Sequence, residues 1–148
     1  MNGVELFLLG RTLMKVGEEA MPMVHGEKRG GTRAVLIVLS DIVMHPDSAV
    51  GEIAERTGLP QSQVSTAVAR LREAGSVVTT PDPGDRRRSL VRKADEPSER
   101  VAEVRATSID TALTAVLGGR EHLEEVTTAL EVLSRHLTPA SVVNLRSS

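Results

Sequence analysis

Residues 50–75 read VGEIAERTGLPQSQVSTAVARLREAG, and residues 81–91 read PDPGDRRRSLV. In the first stretch a short amphipathic segment, with Val50, Ile53 and Ala54 on its inner side, runs to about Thr57 and meets Gly58. Ser48 stands just ahead of it, where a hydroxyl can cap a helix. Proline is tolerated in a helix's first turn, so Pro60 opens a second helix that reaches Ala74, with Gly75 as its C-terminal cap. Two short helices joined by a glycine-containing turn have the form of a helix-turn-helix.

The second helix has two unlike sides. At 100° per residue Val64, Ala67, Val68 and Leu71 share one face, and Ser62, Ser65, Thr66 and Ala69 share the other, with Gln61, Gln63 and Arg70 near its edges. Short hydroxyls and amides near the N-terminal half allow close approach to a major groove and can donate to or accept from base edges. Arg70 can reach a phosphate or a guanine. Taken alone, the helix is also what an ordinary amphipathic surface helix looks like.

The chain beyond this helix gives the groove reading its weight. Residues 76–80 are rich in valine and threonine, Pro81–Gly84 form a turn, and residues 88–92 return as a second strand. The product is a two-stranded wing with Arg86, Arg87 and Arg88 at its tip, where a guanidinium can enter a minor groove or clamp a phosphate. A triple arginine by itself is usually a solvated charge run. Asp85 beside it reads as a structural partner in the wing, because neighbouring arginines stabilise its charged form.

Together these residues resemble the MarR family of bacterial regulators, whose wing bears an Asp-Arg-Arg signature matched by Asp85, Arg86 and Arg87. The resemblance runs over roughly residues 35–104. It implies a homodimer in which the first helix and the last two of each subunit interlace above two winged lobes. It also implies a recognition helix in the major groove of double-stranded DNA, a wing in the adjacent minor groove, and release by a small, often phenolic, effector. The family pattern makes Arg87 the arginine held by Asp85; no residue is assigned to an effector. The chain departs from the family at Ser76, where a large apolar residue is usual, and at residues 93–97, which replace a Leu-Thr-x-x-Gly segment.

Outward from this centre the chain reads as helices. One spans residues 3–20, with Val4, Leu8 or Leu9, Leu13 and Val16 at helical spacing before Pro22. A polar loop at 25–31 leads to Thr32, a candidate cap for a helix over 33–44 that Pro46 stops. Val35, Leu36, Val38, Leu39, Ile42 and Val43 cover most of that helix's circumference, which predicts a central position. After the wing a longer helix is expected over 98–117, punctuated by Gly118 and Gly119, and a last one over 121–137. In the last, Leu123, Val126, Leu130, Leu133 and Leu137 recur at steps of three and four, a helix-packing seam that intrachain core also explains. The expected fold is mainly α with a small two-stranded β wing. It is one domain over 1–148, with dimerisation helices at about 1–22 and 97–137 and a winged helix-turn-helix lobe at about 33–95.

Composition narrows the functions. The net charge is −2, yet residues 48–93 carry eight basic against five acidic side chains, while from Ala94 onward nine acids oppose five bases. The centre is polarised against the tail. Phe7 is the single aromatic residue, which disfavours single-strand or RNA surfaces that stack bases on rings. With no cysteine, disulfides and thiolate metal sites are excluded. No apolar run approaches the roughly 20 residues of a membrane span and no signal-peptide pattern begins the chain, so a cytoplasmic protein is expected. His25, His45, His122 and His136 have no metal-ligand spacing. Met14, Met21, Met23 and Met44 read as fillers of core gaps. No nucleophile motif, P-loop or dinucleotide fingerprint is present, so neither an enzyme nor a cofactor is expected. The competing reading is a winged-helix module that binds protein, which would carry apolar anchors where this chain has arginines and hydroxyls.

Overall fold

Residues 1–21, 31–96 and 99–146 are described in the computed structural model. In chain order they form α1 (Gly3–Ala20), α2 (Thr32–Met44), α3 (Val50–Thr57), α4 (Gln61–Glu73), β1 (Val77–Pro81), β2 (Ser89–Lys93), α5 (Glu99–Arg105), α6 (Asp110–Leu117) and α7 (Leu123–His136). A 3-10 turn (Pro139–Val142) and the one-turn α8 (Val143–Arg146) complete the order. The expected loop at 25–30 lies outside the described residues.

Two units divide the chain: Met1–Pro22 with Thr107–Ser148, and Met23–Ala106. The second holds the helix-turn-helix and the wing. Its core is Val38 and Ile42 of α2, Ile53 of α3, Val64, Ala67, Val68 and Leu71 of α4, and one residue from each strand, Val77 and Val91. The apolar face read for α4 is thus the buried one. Each large aliphatic side chain removed from water here contributes about 1.5–3 kcal/mol.

Glycine shapes both ends of the helix-turn-helix pair. Gly58, at φ +75°, closes α3, and Gly75, at φ +73°, comes after the Ala74 cap of α4. There the Gly75 N–H donates to the Arg72 carbonyl at 3.0 Å and the Ser76 N–H to the Leu71 carbonyl at 2.9 Å, the two bonds of a Schellman turn. The turn releases the chain directly into β1.

β1 and β2 pair antiparallel, with Val77 opposite Lys93 and Thr79 opposite Val91. A further bridge joins Val91 to Ser48: the Val91 N–H donates to the Ser48 carbonyl at 2.8 Å and the Ser48 N–H to the Val91 carbonyl at 3.2 Å. β2 is therefore held on both edges, and the segment before α3 forms the outer one.

Several local expectations are corrected. Ser48 does not cap α3, because its backbone is engaged by β2. Ala49 is the cap residue, and the Glu52 carboxylate accepts its N–H at 3.0 Å. Gly31, not Thr32, precedes α2. The helix expected over 98–117 is two, since the Ser108 hydroxyl accepts the Asp110 N–H at 3.2 Å and offers the backbone a local alternative to helix. α2 buries Val38 and Ile42 completely, but Leu36, Ile37, Val43 and Met44 remain well exposed, because its own unit covers only one of its apolar faces.

In the first unit Val16 of α1, Leu113 of α6 and Leu123 of α7 form a small core, joined by Ala112, Leu117, Val126 and Leu130. The seam read for α7 is therefore split. Its first half packs within the chain, while Leu133 and Leu137 stay exposed, as do Val4, Leu6, Phe7, Leu8 and Leu9 of α1.

Candidate nucleic-acid interface

α4 starts where Pro60 fixes the backbone as the helix cap, its carbonyl accepting the N–H groups of Gln63 and Val64 at 3.0 and 3.1 Å. With Val64, Ala67, Val68 and Leu71 buried, Gln61, Ser62, Gln63, Ser65 and Thr66 are left in solvent on the other face. That is the surface expected from the sequence. The Thr66 hydroxyl donates to the Ser62 carbonyl at 3.0 Å, which engages its proton within the helix and leaves its oxygen lone pairs to accept.

Arg70 stands at the edge of this row. Its guanidinium packs over Gly31, where any side chain would collide with it, at the head of α2. It lines a cleft of about 280 Å³ together with Gly31, Ala34, Val35, Ser62, Gln63, Thr66 and Ala67. One edge of the α4 surface is therefore cationic and one wall of the cleft apolar.

The wing tip is organised by two aspartates. The Asp82 carboxylate accepts the Gly84 N–H at 2.9 Å, and the Asp82 N–H donates to the Arg88 carbonyl at 2.9 Å. The hydrogen-bonded turn lies four residues beyond the expected Pro81–Gly84: the Arg88 N–H donates to the Asp85 carbonyl at 2.9 Å, which places Arg86 and Arg87 at the two central positions. The Asp85 carboxylate accepts the Arg87 N–H at 3.0 Å. Asp85 thus holds the backbone of Arg87 by an aspartate turn and does not engage its guanidinium.

The arginines at the tip have different surroundings. Arg86 and Arg87 are exposed and make no side-chain hydrogen bond or ion pair among the described residues. Arg88 Nη2 lies 2.9 Å from Glu52 Oε1, and its Nε lies 3.8 Å from Asp82 Oδ2.

Sequence reasoning missed the polar cluster beneath the wing. Arg56 donates to both oxygens of Asp41 and, through Nη2, to the Ser48 hydroxyl at 2.7 Å; that hydroxyl donates in turn to the His45 carbonyl at 2.6 Å. The hydrogen bond to Asp41 holds the Arg56 guanidinium above its usual pKa, burial acting against it. Fifteen residues separate the pair, and no spacing rule links them. Arg56, counted in the basic balance of the central region, is therefore committed inside the fold.

Among the described residues no three histidine, aspartate or glutamate side chains converge as metal ligands, and no helix is long and apolar enough to cross a membrane. His25 lies outside the described residues.

A sequence model described as MarR family matches residues 30–88, the stretch that contains α2, the helix-turn-helix and most of the wing. No curated protein matches the chain. Among solved structures, the PcaV transcriptional regulator from Streptomyces coelicolor aligns with a TM-score of 0.51 at 22% identity, over 91% of this chain and 96% of that one. The same regulator in complex with its natural ligand aligns at 0.50 and 23% identity, covering 86% and 87%. Streptococcus pneumoniae FabT in complex with DNA aligns at 0.50 and 10% identity, covering 97% and 85%. At these identities the structural likeness establishes a shared fold.

Proposed function

We propose that this chain, which carries a MarR-family winged helix-turn-helix over residues 30–88, is a DNA-binding transcriptional regulator that acts in the cytoplasm as a homodimer on an inverted-repeat operator, as a repressor. α4 lies in the major groove with Gln61, Ser62, Gln63, Ser65 and Thr66 toward the bases. The wing reaches the adjacent minor groove. The observation that carries this reading is the pairing of a neutral hydroxyl and amide face on α4 with a hairpin tip whose central Arg86 and Arg87 are exposed and form no ion pair among the described residues. An exposed cation without an internal partner suits a phosphate or a narrow minor groove. Arg70, at the edge of α4, contacts the backbone beside the site.

Dimerisation falls to the helices at about 1–22 and 97–137. Their Phe7, Leu8 and Leu137 are exposed in the single chain and supply apolar surface that a second copy would cover. A two-fold dimer requires half-sites about 10 base pairs apart. A small-molecule effector that releases DNA fits the same fold, since one structural neighbour is a transcriptional regulator held with its natural ligand.

Selection of binding sites by the purified protein from a random duplex pool tests the reading. The expected result is an imperfect inverted repeat with that spacing. An asymmetric motif argues against the dimeric operator, and no enrichment at all favours a module that binds protein.

A further inference from the structure

Three consecutive arginines are chemically one group, but the hairpin treats them differently. Arg86 and Arg87 occupy the centre of the turn, whereas Arg88 is its last residue and leads back into β2. Arg88 is engaged through both its backbone and its guanidinium. Its N–H donates to the Asp85 carbonyl, its carbonyl accepts the Asp82 N–H, and its guanidinium lies against Glu52 and Asp82.

Glu52 gives this contact its reach. The oxygen that receives Arg88 Nη2 at 2.9 Å also accepts the Ala49 N–H at 3.0 Å, at the start of α3. A single carboxylate oxygen therefore ties the wing tip to the first helix of the helix-turn-helix, 36 residues away in sequence.

We propose that Arg88 is a positioning residue of the DNA interface and not one of its contacting cations: by clamping the wing tip to Glu52 it sets where Arg86 and Arg87 are delivered. The assignment rests on the DNA-binding reading above. Both side chains of the pair are about half exposed, so the pair adds little to fold stability. Its effect is to restrict a loop that otherwise loses its freedom on binding. Were Arg88 to leave for a phosphate, Glu52 would remain unpaired beside the negatively charged backbone, which opposes the exchange.

Anisotropy titrations at several salt concentrations, on a duplex recovered by selection from a random pool, separate positioning from contact. Arg86→Ala and Arg87→Ala are each expected to lower the salt slope by about 0.9. Arg88→Ala should weaken binding by about two- to fivefold, the scale of an exposed pair, and leave the slope unchanged. Arg88→Lys, which keeps a cation opposite Glu52, should restore most of the affinity. The penalty of Arg87→Ala should shrink in the Arg88→Ala background, and that of Arg88→Ala should shrink in the Glu52→Gln background, where glutamine still accepts the Ala49 N–H. A slope lowered by Arg88→Ala as much as by Arg86→Ala, with additive penalties, overturns the proposal. Unchanged binding in all three alanine variants overturns the wing's role in DNA binding itself, and the proposal with it.

Discussion

Arg56 grips Asp41 through two nitrogens, Nε at 3.0 Å from Oδ1 and Nη2 at 2.8 Å from Oδ2, and so locks the last turn of α3 to the C-terminal part of α2. The Asp41 carboxylate is almost wholly buried, while Arg56 keeps some access to water. Replacing Asp41 by Ala removes the carboxylate that accepts from both Nε and Nη2 of the Arg56 guanidinium. The expected cost is about 3 kcal/mol, the lower end for a broken buried pair, read as a fall in the urea midpoint at constant slope. A change below about 0.5 kcal/mol, the scale of ordinary surface substitutions, would show that the pair does not hold the lobe together.

The aspartate turn at the wing tip makes the two substitutions of Asp85 differ. Asp85→Ala removes the acceptor of the Arg87 N–H and should weaken DNA binding by loosening the tip. Asp85→Asn keeps a side-chain oxygen at the same place and removes a negative charge from the interface, so its affinity should equal or exceed that of the native chain. Weaker binding by the asparagine variant would mean that the charge of Asp85, and not its turn, is what the wing requires. Anisotropy on a selected duplex reads both.

Phe7 and Leu137 are the side chains with which to test association without damaging the fold, because both are largely exposed in the single chain. Phe7→Glu with Leu137→Glu should convert a dimer to monomer in sedimentation at micromolar concentration and abolish binding to the two-fold site. Leu130 serves less well, since it packs on the core of Val16, Leu113 and Leu123 and its loss also costs folding. A native chain that sediments as a monomer would remove the dimer from the proposed function.

On α4, Ser65→Ala and Thr66→Val test base reading as distinct from backbone contact. Loss of a direct base-edge contact should alter preference at particular positions by about 1–3 kcal/mol and leave the salt slope in place. Thr66→Val replaces the hydroxyl by a methyl group of similar size, so a preference that survives in the valine variant assigns recognition at that position to apolar contact. Parallel selections with each variant give the comparison.

Local rules read the helix-turn-helix and the wing well, because the signals there are short in range. The apolar face of Val64, Ala67, Val68 and Leu71 comes directly from helical periodicity, and Gly58 and Gly75 announce the turns that their positive φ values require. Signals failed where a second partner, near or far in sequence, competed with the local preference. Ser48 has the chemistry of a cap but is drawn to Val91, and Ser108 interrupts a pattern that periodicity alone would run as one helix.

By itself, the sequence determined which residues form the buried side of α4 and which form its polar side, and that a basic hairpin comes after it, since periodicity and turn chemistry act over a few residues. Tertiary structure alone decided what each arginine does. Arg56, Arg70, Arg86, Arg87 and Arg88 are the same side chain in the sequence; folding sets Arg56 on Asp41, Arg70 over Gly31 and Arg88 on Glu52, and leaves Arg86 and Arg87 in solvent. The guanidinium's partner is selected by chain segments 15 to 39 residues away, through packing that no local pattern encodes.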